Sequence, residues 1–490
     1  MKKFRIFEFG LLAIVVTMVC LFLHGCHSPF VGENTFVASP SYVVDGSLYI
    51  KKADVQIDST RHLVWCNRQI SQFESEKKEL KSLYEQGKIL TTSEFASNIT
   101  GYYNTLVSVL VGLFILFSIF GYFALNEKFK KEYVLIVRTG EAEIRAVEHL
   151  DDEVFDEVLP LIELTRGRKK TIDDMVSYPF DLRLSKLKNK LKGRQIAMDV
   201  TSDENLASEE TDRLYNFENG YEKWVQLLLN LKDENVFSSI IPSLVMNYDD
   251  DNFEENFKKE IHSLLDAFGV VLYRCAIENE DCYDDLDLIQ HEIGDKKLFV
   301  LIDCGYMAQA MQHNVAEKCK ARIRNIRSLL SCNYDIIICG TSFPNNISEI
   351  GNDDTDTFRI SEVDVFEACY GIYDKVVYGD YGSINPKRND DVVMARGWIP
   401  RIDVPLEVNI YYYRLRRPSK VSKYSSTYEE VAKLVMKDRR FPHHLKVWGT
   451  DMIRQCAYVK VPSSSPSFWI SVRMNIHVMQ QLNRLKRALS

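Results

Sequence analysis

The 490 residues leave room for two or three domains. An apolar share of 46% with 11% aromatics excludes an intrinsically disordered chain. A formal net charge of −8 argues against a general nucleic-acid binder, which needs a basic face, so no nucleic-acid partner is expected.

The first apolar run is Phe9 to Leu23, preceded by Lys2, Lys3 and Arg5. It reads as an uncleaved anchor within residues 1–26. The alternative is a signal peptide, with Leu23-His24-Gly25-Cys26 as a lipoprotein cleavage box that would lipidate Cys26. The second run, Thr105 to Leu125, carries no charge. At about 1.5 Å per residue it spans roughly 30 Å, the thickness of a bilayer's hydrocarbon core, and so predicts a second membrane helix at 105–125.

Lys2, Lys3 and Arg5 flank the first run, and Lys128, Lys130 and Lys131 follow the second. The positive-inside rule then places both termini in the cytoplasm and residues 27–104 outside. The expected location is the bacterial inner membrane, with the lipid bilayer as partner. The outer segment predicts short strands over 41–58 and a charged helix over 68–88. That helix brings Ile70, Phe73, Leu80 and Tyr84 near one face, as in a ligand sensor, a dimerising stalk or a plain polar connector. A homo-oligomer is left open.

From Tyr133 onward strands and helices alternate, the signature of a parallel sheet with crossover helices. The strands are expected at Tyr133–Arg138, Val158–Leu164, Gln195–Thr201, Ile240–Met246, Val270–Cys275, Leu298–Asp303, Tyr334–Gly340 and Lys375–Gly382. Helices are expected at Glu141–Leu150, Glu222–Leu231, Phe253–Phe268, Asp284–His291, Met311–Leu330 and Ser361–Tyr370. Eight strands over 133–382 match a closed (β/α)8 TIM-like barrel. An open doubly wound sheet is the competitor, but Arg138-Thr139-Gly140-Glu141 is no glycine-rich phosphate turn. Residues 383–490 then form an extension packed on the barrel. It holds a strand at Val408–Leu415 and helices at Tyr428–Lys437, Lys446–Cys456 and Trp469–Leu489.

Three stretches carry a resemblance. They are the strand and turn Tyr133-Val134-Leu135-Ile136-Val137-Arg138-Thr139-Gly140-Glu141, the segment Leu159-Pro160-Leu161-Ile162-Glu163-Leu164, and the segment Trp469-Ile470-Ser471-Val472-Arg473-Met474-Asn475-Ile476-His477. Together they resemble the Beta protein family over roughly residues 133–480. That family usually has a lysine and a proline in its first strand; here Arg138 and Leu135 stand in those places. The resemblance implies a barrel-like fold and a setting near bacterial antiviral defence genes. It transfers no catalytic residue.

Functional groups of a parallel barrel gather at the C-terminal strand ends. Those ends carry Arg138, Glu163, Asp199, Arg274, Asp303 and Asp380, with Tyr381 next in line. Such a ring suits a small-ligand or nucleotide site, since arginines clamp phosphate or carboxylate with forked donors. It equally suits salt bridges that close the barrel mouth around no ligand. Carboxylates from separate strands also fit acid/base or divalent-metal chemistry, though no metal ligand set or cofactor is assigned. Trp469, Arg473 and His477 recur at i, i+4 and i+8, on one helical face, either as a lid over the mouth or as a helix docked by Trp469.

The eleven cysteines form no CxxC pair or zinc spacing, and several fall in apolar strands, as free thiols do in a reducing compartment. His443-His444 lacks a spaced partner for metal. Walker, G-x-S-x-G, H-E-x-x-H and kinase motifs are absent. The expected function is a membrane-anchored sensor or effector that binds a partner or small ligand, in an antiviral setting. The alternative is a membrane-anchored, metal-dependent phosphoesterase.

Overall fold

The computed structural model describes residues 59–87, 97, 100–116 and 131–489, apart from 168–169, 173–174, 178–179, 346–348, 350, 352, 374, 388–397 and 420–422. The chain forms two compact units, Met1–Phe123 and Ala124–Ser490.

In the first unit, helix α1 spans Ser59–Glu85, beginning well before the expected 68. Ile70, Phe73, Leu80 and Tyr84 are all exposed on it. Residues 100–116 are also helical, and Val107, Leu110, Val111, Phe114, Ile115 and Leu116 are exposed there. Among the described residues no helix is long and apolar enough to cross a membrane. The expected two-span module is therefore not supported. Of the span expected at 105–125, residues 117–125 lie outside the described residues. The run within 1–26 and the strands at 41–58 lie outside the described residues.

The second unit is a nearly closed eight-stranded parallel barrel. Its thirteen described strands, in chain order, are β1 (Tyr133–Arg138), β2 (Val158–Leu164), β3 (Lys170–Ile172), β4 (Met175–Ser177), β5 (Gln195–Val200), β6 (Ser239–Pro242), β7 (Val270–Ala276), β8 (Lys297–Tyr306), β9 (Asn333–Thr341), β10 (Thr355–Arg359), β11 (Val376–Asp380), β12 (Arg401–Pro405) and β13 (Asn409–Arg414). Eight of them pair in the order β6-β5-β2-β1-β11-β9-β8-β7. The two edges, β6 and β7, are consecutive in sequence, and they meet at a parallel bridge, Ser243 with Leu272. There Leu244 N–H donates to the Leu272 carbonyl at 2.8 Å. Each expected strand matches one of the eight.

The sequence makes such strands because both of their faces are buried, which favours unbroken apolar runs over alternation. Val134, Ile136, Leu161, Leu272, Leu301 and Ile337 fill the barrel interior. Tyr133, Leu135, Val137, Ile162, Val300 and Ile338 face the helices. The crossovers carry α2 (Glu141–Glu148), α3 (Phe180–Lys190), α4 (Glu218–Asp233), α5 (Phe253–Phe268), α6 (Cys282–Glu292), α7 (Gln312–Leu329) and α8 (Ser361–Tyr370). Helix α4 opens with three residues of positive φ, Asn219, Gly220 and Tyr221. A Cβ on Gly220 would meet Lys259 Cβ at 2.5 Å, so glycine fits this left-handed turn.

Beyond β11 come α9 (Tyr424–Lys437), α10 (Trp448–Tyr458) and α11 (Pro466–Leu489). Strands β10, β13 and β12 form a small antiparallel sheet. It shares a second core with α9 and α10, including Val404, Tyr411, Tyr428, Val431 and Trp469. Helix α11 belongs to both cores. Its Met474, Val478, Leu482 and Leu485 join the outer core of the barrel. Asn475 Nδ2 donates to the carbonyls of Ala146 and His149, both at 3.2 Å. Arg484 lies 4.9 Å from the Tyr378 ring centroid. The last helix thus takes the place of the eighth barrel helix, between α8 and α2. Four buried apolar side chains at roughly 1.5–3 kcal/mol each are comparable to a typical domain's whole margin.

All eight cysteines of the second unit are free, and seven are buried. They sit as small apolar side chains within the strand and helix layers, apart from half-buried Cys332.

Candidate functional site

Alternation along a strand decides where each charged strand end points. Arg138, Glu163, Asp199, Arg274 and Asp303 share the phase of Ile136, Leu161, Ala197, Leu272 and Leu301, so all five enter the barrel interior. Asp380 has the opposite phase, that of Tyr378, and faces the helix layer. Tyr381, next along, turns inward.

Arg274 is the hub of the inward group. Its Nη1 donates to Glu163 Oε2 at 2.9 Å and to Asp199 Oδ2 at 2.7 Å. Its Nε and Nη2 reach Asp303 Oδ2 at 3.1 and 2.8 Å. Nη2 also donates to the Tyr381 hydroxyl at 2.9 Å, which in turn donates to Asp303 Oδ2 at 2.6 Å. Arg138 Nε lies 3.4 Å from Glu163 Oε1. Burial alone would push Glu163 up, but Arg274 and Arg138 overcome it and hold the carboxyl below its ordinary value. Asp199, buried and beside Glu163, is pushed up in spite of Arg274. The interior end of the barrel is a self-paired knot of charge.

Asp380 is the hub of a second network. Oδ1 accepts from Tyr133 OH at 2.6 Å and from Gly382 N–H at 2.7 Å. Oδ2 accepts from Tyr378 OH at 2.8 Å and pairs with His477 Nε2 at 2.7 Å. His477, on α11, is fully buried. Glu362 lies close by, and one ligand atom from each of Glu362, Asp380 and His477 falls within 4.8 Å of the others. Asp380 already accepts four bonds, and Glu362 Oε2 accepts from Ser342 N–H at 2.8 Å. The donor set therefore fits a hydrogen-bonded hub better than a metal centre.

A cavity of about 720 Å³ opens beside the charge knot. It sits over the C-terminal ends of four neighbouring strands, β2, β1, β11 and β9, and is lined by the loops that follow them. Five arginines and one lysine line it: Arg138, Arg166, Arg183, Arg401, Arg473 and Lys387. Among the described residues the one lining carboxylate is Glu143, in the first turn of α2. Arg473 and Arg401 share one carboxylate, Asp403, at 2.9 Å each. The Arg473 guanidinium also lies 3.6 Å from the Phe343 ring centroid. Burial lowers the Arg473 value to about 10, and its Nε has no hydrogen-bond partner among the described residues.

The expected site residues therefore divide. Arg138, Glu163, Asp199, Arg274, Asp303 and Tyr381 converge inside the barrel, and Asp380 does not. Of the three residues expected on one face of the last helix, Arg473 reaches the cavity. Trp469 is buried, stacks on Tyr428 at 5.2 Å and donates to the Ser463 carbonyl at 3.1 Å, so it docks the helix. His477 is sealed against Asp380. His443 and His444 are exposed. Glu143, Arg183, Lys387, Arg401 and Glu362 were missed. Glu143 had a signal in the helix-start pattern, and the others had none beyond charge.

The cavity joins segments more than three hundred residues apart, since Arg138 and Gly140 leave the first strand and Arg473 comes from the last helix. The Beta protein family profile matches residues 133–483. This chain belongs to the Beta protein family. It is 26% identical over 356 residues to "Protein beta" of Enterobacteria phage P4, covering 71% of this chain and 92% of that protein. Two solved structures show weak similarity. The Bacillus cereus spore cortex-lytic enzyme SleL is 10% identical with a TM-score of 0.28, and covers 58% of this chain. The chain spans 65% of that enzyme, just under two thirds. The Bacillus megaterium QM B1551 SleL is 11% identical with a TM-score of 0.27, over 71% of this chain and 74% of that one. Likenesses this weak carry no argument about activity.

Proposed function

We propose that this member of the Beta protein family is a membrane-tethered sensor or effector that binds a small ligand at the mouth of a cytoplasmic barrel, in antiviral defence. The cation-lined cavity at the C-terminal strand ends carries the ligand part of the reading, because that end of a parallel barrel is where ligands bind. The tether rests on the sequence: an uncharged run at 105–125, another at 9–23, and positive residues on one side of both. The exposed apolar side chains at 107–116 support it, since water is a costly surrounding for them. The defence setting rests on the family alone.

Geometry favours binding over hydrolysis. A metal-dependent phosphoesterase would draw on Glu163, Asp199 and Asp303, but the Arg274 guanidinium occupies the space between them. The test is phage plating on cells that express the full chain or a version lacking residues 1–126. The deletion is expected to abolish protection while the truncated protein accumulates normally. Full protection by the deletion would end the tethered reading.

A further inference from the structure

We infer that the cavity beside the charge knot is built for the phosphoryl group of a small phosphorylated organic molecule, with Glu143 standing in for that anion in the empty protein. The inference rests on the reading of the barrel mouth as a small-ligand site, and it names the ligand's chemistry.

The first support is a surplus of positive charge. Among the described residues six cations and one carboxylate line the cavity. Behind them, Asp403 serves two arginines at once, and Glu163 is already held by Arg274. The second support is a shared partnership. Arg473 is nine-tenths buried or better and lines the cavity, yet it divides one carboxylate, Asp403, with Arg401. Guanidinium groups in that state find strong partners in phosphate and carboxylate oxygens.

The third support is the position of Glu143. It lies in the first turn of α2, whose N-cap, Gly140, offers no side-chain cap. The carboxylate folds back over Gly140, so that a Cβ there would meet Glu143 Oε2. Arg138, Arg183 and Arg473 all act on that carboxylate electrostatically. It therefore stands at the N-terminal end of a helix in the field of three arginines, a setting that favours anions. Burial raises its value nonetheless, so a carboxylate is a poor occupant of the place.

The remaining walls fit the rest of a ligand. Phe343, Pro344, Ile384 and Ile470 are apolar, and the volume suits a molecule of mononucleotide size. The loops after the seventh and eighth barrel strands, β9 and β11, both contribute, as they do at phosphate sites of many such barrels. That last point is analogy of fold and ranks below the charge argument.

The test is calorimetric titration of the detergent-solubilised full chain with pyrophosphate, adenosine 5′-monophosphate and adenosine. Pyrophosphate and the monophosphate are expected to bind, and adenosine at least about tenfold more weakly than its monophosphate. Arg183→Gln and Lys387→Gln, both at the accessible rim, should each weaken pyrophosphate by about tenfold. Glu143→Gln removes the competing anion and should tighten it by about threefold or more. Adenosine binding as tightly as its monophosphate overturns the inference, as does pyrophosphate binding that neither rim variant changes. So does a wild-type chain that binds no phosphate compound at millimolar concentration. Failure here with protection still lost on deleting residues 1–126 leaves the sensor reading intact with another ligand. Binding as expected, with protection surviving that deletion, leaves the site intact and removes the tether.

Discussion

Two charged regions share the C-terminal end of one barrel and behave in opposite ways. Around Arg274, on the β5–β8 half, each donor meets a carboxylate or a hydroxyl, and the cluster closes on itself. Around Arg473, over β9, β11, β1 and β2, cations outnumber carboxylates and a cavity stands open. The two are linked, since Arg138 pairs with Glu163 of the first and lines the second. The contrast teaches that charge at a strand end is no sign of a ligand. A surplus of one sign facing a space is.

The comparison breaks hardest at its closed side. Arg274→Met strands Glu163, Asp199 and Asp303 in the barrel without their cation. Urea denaturation should show a loss of roughly 3–5 kcal/mol, the usual cost of leaving buried charge unpaired. A loss near zero would mean that the knot does not stabilise the barrel.

A middle-sized effect tests the third cluster, behind the sheet. Burial, then the Asp380 charge, raises the Glu362 carboxyl to about 7 from an ordinary 4.5. A raised value means that the folded state holds the proton more tightly than the unfolded chain does. The stability this adds is complete below 4.5 and is lost as pH rises through about 7. Thermal melts of the wild type should fall across that window. Glu362→Gln keeps an acceptor for Ser342 N–H and should flatten the fall. A slope that the substitution leaves unchanged assigns the proton elsewhere.

The smallest expected effect sharpens the open side. Arg183 is half-buried at the cavity rim, so Arg183→Gln should change unfolding free energy by no more than about 0.5 kcal/mol. A cation that serves ligand rather than fold gives that result. A loss comparable to that of Arg274→Met would place Arg183 with the structural charges instead.

The sequence showed all eight barrel strands, six of them within two residues at both ends, because each is a bounded apolar run and parallel strands favour such runs. It missed the β3–β4 hairpin, β10 and β12, which are short and polar or lie where turn residues dominate. The same burial that made the strands legible hid their facing. Val376 to Tyr381 holds apolar or aromatic residues in both phases, so nothing in the pattern said that Asp380 points outward and Tyr381 inward. That phase is set by register, where Tyr133 pairs with Tyr378 and Leu135 with Asp380.

Composition and periodicity were enough for the alternating α/β class and the strand count, and the resemblance of three short stretches pointed to the family. Those properties are local, and each is written in a few neighbouring residues. The closure of β6 on β7, the use of the last helix as the eighth of the barrel, and the meeting of Arg138, Arg183, Arg401 and Arg473 around one cavity came only from the tertiary structure. These depend on contacts between residues far apart in the chain, and no local pattern records which distant charges will face the same space.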